Sequence, residues 1–145
     1  MDRSLAVILT AVAGGLIALQ PPVNAGLAKA TGSLPASMIS FAVGTLILIA
    51  LVAVSGQAGN VSSTFDVRWY YLLGGLLGVC YVTTVLITVS SIGAGGVAAA
   101  TVTGQLTAGV LIDRLGILGL DETPITTERV IGIVLLFFGT YLVVR

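Results

Sequence analysis

The stretch between Arg68 and Asp113 decides the fold of this chain. It reads WYYLLGGLLGVCYVTTVLITVSSIGAGGVAAATVTGQLTAGVLI (residues 69–112), which is 44 residues without an Asp, Glu, Lys or Arg. A helix needs about 20 apolar residues to cross the hydrocarbon core of a bilayer, so this stretch has about twice the length of one span. We therefore predict two membrane spans here, joined by an uncharged turn.

The composition indicates a membrane protein along the whole chain. Of its 145 residues, 57% are hydrophobic and 8% are charged, whereas soluble domains carry roughly 25% charged residues. A net charge of zero gives no basic surface for nucleic acid, and no nucleic-acid partner is predicted. The chain has no His and a single Cys, Cys80, so we predict no metal site, no cofactor and no enzymatic activity.

Continuous apolar runs predict an all-α membrane protein with five transmembrane helices in a single domain, residues 1–145. The spans are placed at about 5–28, 34–54, 70–90, 97–112 and 125–144. Ser33 is a candidate N-cap for the second span, and Pro35 suits its first turn. The uncharged turn between the third and fourth spans is placed at Ser91–Gly96. An odd number of spans puts the two termini on opposite sides of the membrane.

The positive charges define the orientation only weakly. Four arginines fall on the side of the N-terminus, and one lysine and one arginine fall on the other, which favours a cytoplasmic N-terminus. So small a difference equally permits insertion in both orientations and antiparallel pairing. The first group is Arg3, Arg68, Arg114 and Arg129, and the second is Lys29 and Arg145.

The segment Gln20-Pro21-Pro22-Val23-Asn24 combines a helix kink with two amides. The prolines lack the N–H groups that would bond to the carbonyl oxygens of residues 17 and 18, and lipid cannot replace those bonds. Gln20 and Asn24 lie one turn apart on one helical face. Broken helices with polar groups form the binding sites of many transporters, which favours a solute site. The alternative is a structural kink whose amides hold helices together.

Two further groups of polar side chains are candidates for the same cavity. Thr101 and Gln105 share a face of the fourth span, and Gln105 is expected to face Gln20 and Asn24. Tyr81 and Thr84 share a face of the third span. For Gln105 a hydrogen bond between helices without any ligand is an equal alternative, and Tyr81 can instead be satisfied within the bundle.

Glycines and one acid complete the candidate features. Gly132 and Gly139, seven residues apart in the fifth span, indicate a stripe for packing between helices, which we predict to be a dimer contact. Asp113 is the only acid that abuts the inner part of a span. It is interpreted as a charge at the end of a helix, in preference to a proton-coupling group.

Together these residues resemble the YdcZ-type family of small inner-membrane proteins. The likeness covers nearly the whole chain, and the ordered set of short segments carries it. They are Leu19-Gln20, Asn24–Leu27, Ser40–Thr45, Gly74-Gly75 with Tyr81, Gly104–Leu106, Ile112–Gly116, and Arg129–Gly132 with Gly139.

The resemblance implies a prokaryotic inner-membrane protein of the drug/metabolite transporter superfamily. Such a chain is one half of a ten-helix transporter built from two inverted five-span repeats. The implied assembly is an antiparallel dimer, either a homodimer or a heterodimer with a paralogous five-span chain. Smaller four-span relatives keep a glutamate in the first span for proton exchange, and this span holds only amides, so that coupling mechanism is not expected here.

The predicted function is a small-molecule transporter, specifically an exporter, that works as this dimer by alternating access within membrane lipid. Two alternatives stay open, namely a passive dual-topology channel and a structural membrane subunit without transport of its own. The predicted solute-binding residues are Gln20, Asn24, Gln105, Tyr81, Thr101 and Thr84, with Pro21 and Pro22 forming the kink.

Overall fold

The computed structural model describes residues 2–145, which form helices and loops and no β-strand. The prediction of an all-α protein is therefore confirmed. Two short 3₁₀ helices, Ala58–Asp66 and Trp69–Leu72, lie between the third and fourth α-helices. The five α-helices are α1 Arg3–Ile17, α2 Gln20–Thr31, α3 Ser33–Val54, α4 Leu73–Leu115 and α5 Thr127–Val144.

Four helical segments are long and apolar enough to cross a membrane, as expected of a multi-pass membrane protein. The third has 47 residues, more than twice the roughly 20 residues that one crossing needs. It therefore has the length of two crossings, and the count of five spans stays a prediction. The segments are Arg3–Thr31, Ser33–Val54, Trp69–Leu115 and Thr127–Val144.

Helix α4 is interrupted at one residue. Gly93 leaves the helical conformation, with φ 68° and ψ 169°, a region that glycine tolerates because it has no Cβ. The predicted six-residue turn Ser91–Gly96 was wrong in extent, because its other five residues are helical. The physical reason is that the non-helical φ and ψ are confined to one glycine, and the helical conformation resumes on both sides of it.

One predicted helix cap was wrong. Gly32, with φ 86°, precedes the first residue of α3, so Ser33 opens the helix and is not its N-cap. Helix α5 begins at Thr127, within the predicted span 125–144. There Thr126 caps the helix, since its side-chain oxygen accepts a hydrogen bond from the Arg129 backbone N–H at 3.4 Å.

The break between α1 and α2 lies just before the two prolines. Helix α1 ends at Ile17, α2 begins at Gln20, and Pro21 and Pro22 occupy the first turn of α2. Proline is tolerated in a first turn because N–H groups there have no partner within the helix. The same missing groups stop α1 from continuing through them.

The chain divides into two compact units, each described by itself. The Asn24 unit is Leu19–Ser90 and contains α2, α3 and the first part of α4. The Thr103 unit is formed by the residues before Leu19 and by Ser91–Arg145, with the second part of α4 and α5.

Helices of the Asn24 unit are joined by one hydroxyl contact and one aromatic contact. Thr83 of α4 donates a hydrogen bond to the buried Ser37 hydroxyl of α3 at 3.3 Å. One turn along α3, Phe41 lies against Gly78, where a Cβ would come within 3.3 Å of the ring. The glycine thus allows the close approach of α3 to α4 in this unit.

Helices of the Thr103 unit are joined by a cluster of threonine hydroxyls. The Thr103 Oγ1 lies 2.7 Å from the Thr140 Oγ1 and 3.3 Å from the Leu136 carbonyl oxygen of α5. Thr140 in turn donates to the Ala99 carbonyl oxygen at 3.1 Å. These bonds satisfy both hydroxyls between two helices, which is what a polar side chain in an apolar surrounding requires.

Candidate functional site

Gln20, Asn24 and Tyr81 line one small cavity inside the Asn24 unit. Its volume is about 10 Å³, which is roughly the space that one water molecule needs. Helix α2 contributes the two amides one turn apart, and α4 contributes the tyrosine. The remaining lining side chains are Pro21, Val82, Val85 and Leu86.

Asn24 is a buried amide that the fold leaves unsatisfied. It is 8% exposed, yet its side chain makes no hydrogen bond within residues 2–145. No fully enclosed side-chain nitrogen or oxygen in this described range lacks a partner, so the amide of Asn24 is not completely shielded from its surroundings. A polar group in that position needs a water molecule or a ligand, because an unpaired buried amide is costly.

A larger open groove adjoins this cavity, and we call it the Gln20 groove. Gln20 and Val82 line both spaces, so one amide borders the cavity and the groove. The groove has a volume of about 250 Å³. Its full lining is Gln20, Ser40, Phe41, Gly44, Thr45, Leu48 and Val82.

One face of α3 builds the wall of the Gln20 groove. Phe41, Thr45 and Leu48 are spaced by four and three residues, which places them on the same side of a helix. Ser40 and Gly44 form the adjacent row, again four residues apart. A Cβ added at Gly44 would meet no atom within 4 Å, so this glycine leaves the groove open beside the Thr45 hydroxyl.

The predicted site residues thus fall into three groups. Gln20, Asn24 and Tyr81 are brought together at the cavity. Thr84 lines neither space and is exposed, and its carbonyl oxygen accepts a hydrogen bond from the Thr88 hydroxyl at 3.1 Å. Gln105 and Thr101 lie on α4 in the Thr103 unit, exposed and half-buried respectively, and their meeting with Gln20 stays a prediction.

Sequence reasoning missed Ser40, Phe41 and Thr45 as candidate site residues. The stretch Ser40–Thr45 was among the segments that carry the family resemblance, but no role was assigned to it. A signal was present, because the apolar span 34–54 holds three hydroxyl side chains, Ser40 and Thr45 among them, and a single aromatic ring. Their relation to Gln20 depends on how α2 and α3 pack, which spacing along the chain does not reveal.

A third open space lies at the other end of α2, lined by Lys29, Ser33 and Ser90 together with small residues. Lys29 is in the last turn of α2, where a cation is favoured by the negative end of the helix dipole. This placement explains the lysine as a charge at the end of a span. The Gln20 groove, in contrast, has no charged side chain in its lining.

The charged residues of the Thr103 unit form ion pairs at one end of its helices. Arg129 Nη1 of α5 lies 3.2 Å from Asp113 Oδ2 of α4, and Arg114 pairs with Glu122 in the intervening loop. The Thr123 backbone N–H also donates to the Asp113 carbonyl oxygen at 2.8 Å. Asp113 therefore connects α4 to α5 and to their loop.

Residues 2–145 contain no group of His, Cys, Asp and Glu side chains that could hold a metal ion.

The two glycines predicted for dimer packing have free space where a side chain would lie. A Cβ added at Gly132 or Gly139 of α5 would meet no atom within 4 Å. Close approach within this chain therefore does not explain either glycine. The dimer contact at this stripe stays a prediction.

Comparison with known families gives one match, and it covers almost all of the chain. The family described as "Putative inner membrane exporter, YdcZ" matches residues 5–142. No curated protein and no solved structure matches the chain.

Proposed function

This chain belongs to the YdcZ family, and we propose on that basis that it is a small-molecule exporter of the prokaryotic inner membrane. The family description supplies the class of protein, and the site supplies the mode of recognition. The observation that carries the proposal is the pair of amides, Gln20 and Asn24, beside a helix break in a membrane segment. One of them is buried without a hydrogen-bond partner in residues 2–145.

The solute is recognised by hydrogen bonds and not by charge pairing. The polar groups at the cavity are two amides and a phenol, each of which can both donate and accept. Gln105, Thr101 and Thr84 are proposed to complete the site in the working assembly. An uncharged or zwitterionic solute suits such a lining, because a net charge would lie near the membrane interior without a partner.

The working unit is an antiparallel dimer with ten helices, in which each chain supplies half of the solute site. The partner is a second copy or a paralogous five-span chain. The open glycines Gly132 and Gly139 support a contact on α5, since small residues let helices of neighbouring chains approach closely. Alternating access then comes from rocking one five-helix chain against the other within the lipid bilayer.

Flux measurements test the exporter proposal. The purified protein is reconstituted into liposomes with a panel of labelled neutral, zwitterionic and anionic solutes. Gln20→Ala and Asn24→Ala are expected to reduce the flux of the transported solute roughly tenfold, the effect of losing about one good hydrogen bond. Gln57→Ala is the matched control, because it makes the same change in an exposed loop. Unchanged flux in both site variants would refute the assignment.

The turnover number separates an exporter from a channel. Flux far above about 10³ solutes per second exceeds typical turnover rates of proteins that cycle between states and indicates a pore. No flux with any solute, together with full activity on adding a paralogous chain, indicates that the heterodimer is the working unit.

Labelling of the termini tests the dimer. In a Cys80→Ser background, single cysteines at Ser4 and after Arg145 are labelled in intact cells with a maleimide that cannot cross membranes. Dual orientation predicts partial labelling at both sites. Labelling of one terminus only would exclude the antiparallel homodimer and leave the heterodimer.

A further inference from the structure

We propose that the Gln20 groove is the surface that binds the solute, and that it takes an uncharged solute carrying a flat ring with hydrogen-bonding substituents. The inference rests on the proposed function and names the substrate class of its site. It also moves the centre of solute contact from the small cavity lined by Gln20, Asn24 and Tyr81, which we call the Asn24 cavity, to the Ser40–Thr45 face of α3.

The sizes of the two spaces separate their roles. The Asn24 cavity, at about 10 Å³, admits one water molecule and no larger solute. The groove, at about 250 Å³, is far larger and is open to its surroundings. A single ring with one or two polar substituents can lie in it.

The lining of the groove excludes a charged occupant. Its polar side chains are the Gln20 amide and the hydroxyls of Ser40 and Thr45, and all three can donate and accept hydrogen bonds. No Asp, Glu, Lys or Arg lines it. A cation or an anion there would lose its hydration without gaining an opposite charge, which an uncharged solute avoids.

Phe41 supplies a fixed aromatic surface. Its ring lies against Gly78, where an added Cβ would come within 3.3 Å of Cζ and 3.5 Å of Cε1. Because the ring packs where this glycine has no Cβ, Gly78 helps to orient Phe41 beside the groove. Flat rings pair with such a surface at centroid separations of about 4.5–7 Å, in stacked or edge-to-face arrangements.

The Asn24 cavity then positions the amide that the solute meets. Gln20 borders both spaces, and a water molecule in the cavity would bond to Asn24, Tyr81 and Gln20 together. That water would hold the Gln20 side chain in one orientation. Asn24 is in this view a positioning residue, and Gln20 contacts the solute.

A single-cysteine reporter tests whether the groove is open to water. In the full-length Cys80→Ser protein, Gly44→Cys places a thiol in the groove, where an added Cβ meets nothing within 4 Å. Val43→Cys is the matched control, since Val43 is exposed on the same turn of α3 and does not line the groove. N-ethylmaleimide reacts with the thiolate, which forms in water and not in lipid, so we expect Gly44→Cys to react about tenfold faster.

A set of similar small molecules then tests the solute class. Benzamide is uncharged, whereas benzoate and benzamidinium carry opposite charges on nearly the same shape, and cyclohexanecarboxamide lacks the flat ring. Benzamide is expected to slow the modification of Gly44→Cys about threefold, the factor for occupancy of about two thirds of the sites. The other three compounds are expected to slow it less.

Three results would overturn the inference. The first is modification of Gly44→Cys no faster than that of Val43→Cys, which means that lipid fills the groove. The second is protection by benzoate or benzamidinium equal to that by benzamide, or no protection by benzamide. The third is a disulfide-linked dimer of Gly44→Cys without maleimide reaction, which means that a second copy occupies the groove. Solute flux with any of these results would leave the exporter function standing, and protection without flux would refute the function alone.

Discussion

The Asn24 unit and the Thr103 unit both bury polar side chains among apolar neighbours, but Asn24 and Thr103 differ in their hydrogen-bond partners. Thr103 is 4% exposed and lies within hydrogen-bond distance of Thr140 and of the Leu136 carbonyl oxygen. Asn24 is 8% exposed and has no such partner within residues 2–145. Since lipid offers no hydrogen bonds, the first arrangement holds helices together, and the second needs an occupant that the fold does not supply.

The two units also differ in where their charged side chains lie. The end of the Thr103 unit is tied by two ion pairs, Arg129 with Asp113 and Arg114 with Glu122. The spaces around Gln20 in the Asn24 unit have amide, hydroxyl and phenol groups and no charge. A scaffold gains from internal pairing, whereas a surface that exchanges its ligand must keep polar groups available. The contrast supports the proposal that the solute binds in the Asn24 unit, where the Thr83–Ser37 hydrogen bond also holds α3 and α4 together.

The largest change in stability is expected at Thr103, whose hydroxyl is hydrogen-bonded within the fold. Thr103→Val keeps the shape of the side chain and removes its hydroxyl, so the Thr140 and Leu136 contacts are lost, and stability should fall by about 1.5 kcal/mol. Unfolding by dodecyl sulfate in mixed micelles measures the change. Thr10→Val is the control, because the Thr10 hydroxyl bonds only to the Ala6 carbonyl oxygen of its own helix. Equal losses in the two variants would contradict the scaffold role of Thr103.

A change in stability of the opposite sign, an increase, is expected from a substitution at Asn24. Asn24→Leu removes an amide that makes no hydrogen bond in residues 2–145 and fills the adjoining cavity. Stability should therefore rise by up to about 1 kcal/mol while solute flux falls. The same unfolding titration and the liposome assay report the two quantities. A loss of stability like that of Thr103→Val would show that Asn24 is structural, and the distinction between the units would fail.

A smaller change in stability is expected from substitutions at two of the three glycines on the first part of α4. Gly78→Ala places a methyl group 3.3 Å from the Phe41 ring, whereas Gly74→Ala meets nothing within 4 Å. Overpacking of this kind should make Gly78→Ala about 1 kcal/mol less stable than Gly74→Ala. Because Phe41 lines the Gln20 groove, Gly78→Ala should also reduce solute flux. Equal behaviour of the two variants would remove Phe41 from the proposed site.

The smallest effect is expected from the ion pair at the end of the Thr103 unit. Asp113→Asn breaks the ion pair with Arg129. Both side chains are partly exposed, Asp113 at 40% and Arg129 at 34%, so water already screens the pair. We expect a loss of about 0.5 kcal/mol that shrinks as salt is added. If the variant instead abolishes flux without a change in stability, Asp113 is a proton-coupling group and not a charge that stabilises the helix end.

Much of the fold follows from composition and the position of charges. The long interval without charge between Arg68 and Asp113 predicted more than one crossing, and the structure gives a helical segment of 47 residues there. The position of its interruption was less well predicted. Six residues were assigned to a turn, but only Gly93 departs from helix, because helical hydrogen bonds continue wherever the backbone permits them.

The candidate site was predicted in part. Gln20, Asn24 and Tyr81 were chosen for their chemistry in an apolar chain, and the structure places them around one cavity. Thr84 was chosen because it shares a helical face with Tyr81, yet it is exposed and lines neither space. Spacing along one helix tells which residues share a face and leaves open which neighbouring helix that face meets.

The sequence by itself determined that the chain lies in a lipid bilayer and that it is helical. It also determined which polar side chains need hydrogen-bond partners there. Those properties depend on how many apolar residues lie between charges, a quantity that is local to the chain. Only the tertiary structure decided that α3 brings Ser40, Phe41 and Thr45 to Gln20, and that Thr103 is satisfied while Asn24 is not. The physical reason is that a hydrogen bond or a cavity between helices depends on their packing and not on spacing along the chain. The charge-free interval thus indicates where the chain meets lipid, and the packing of α2, α3 and α4 in the Asn24 unit indicates where it can meet a solute.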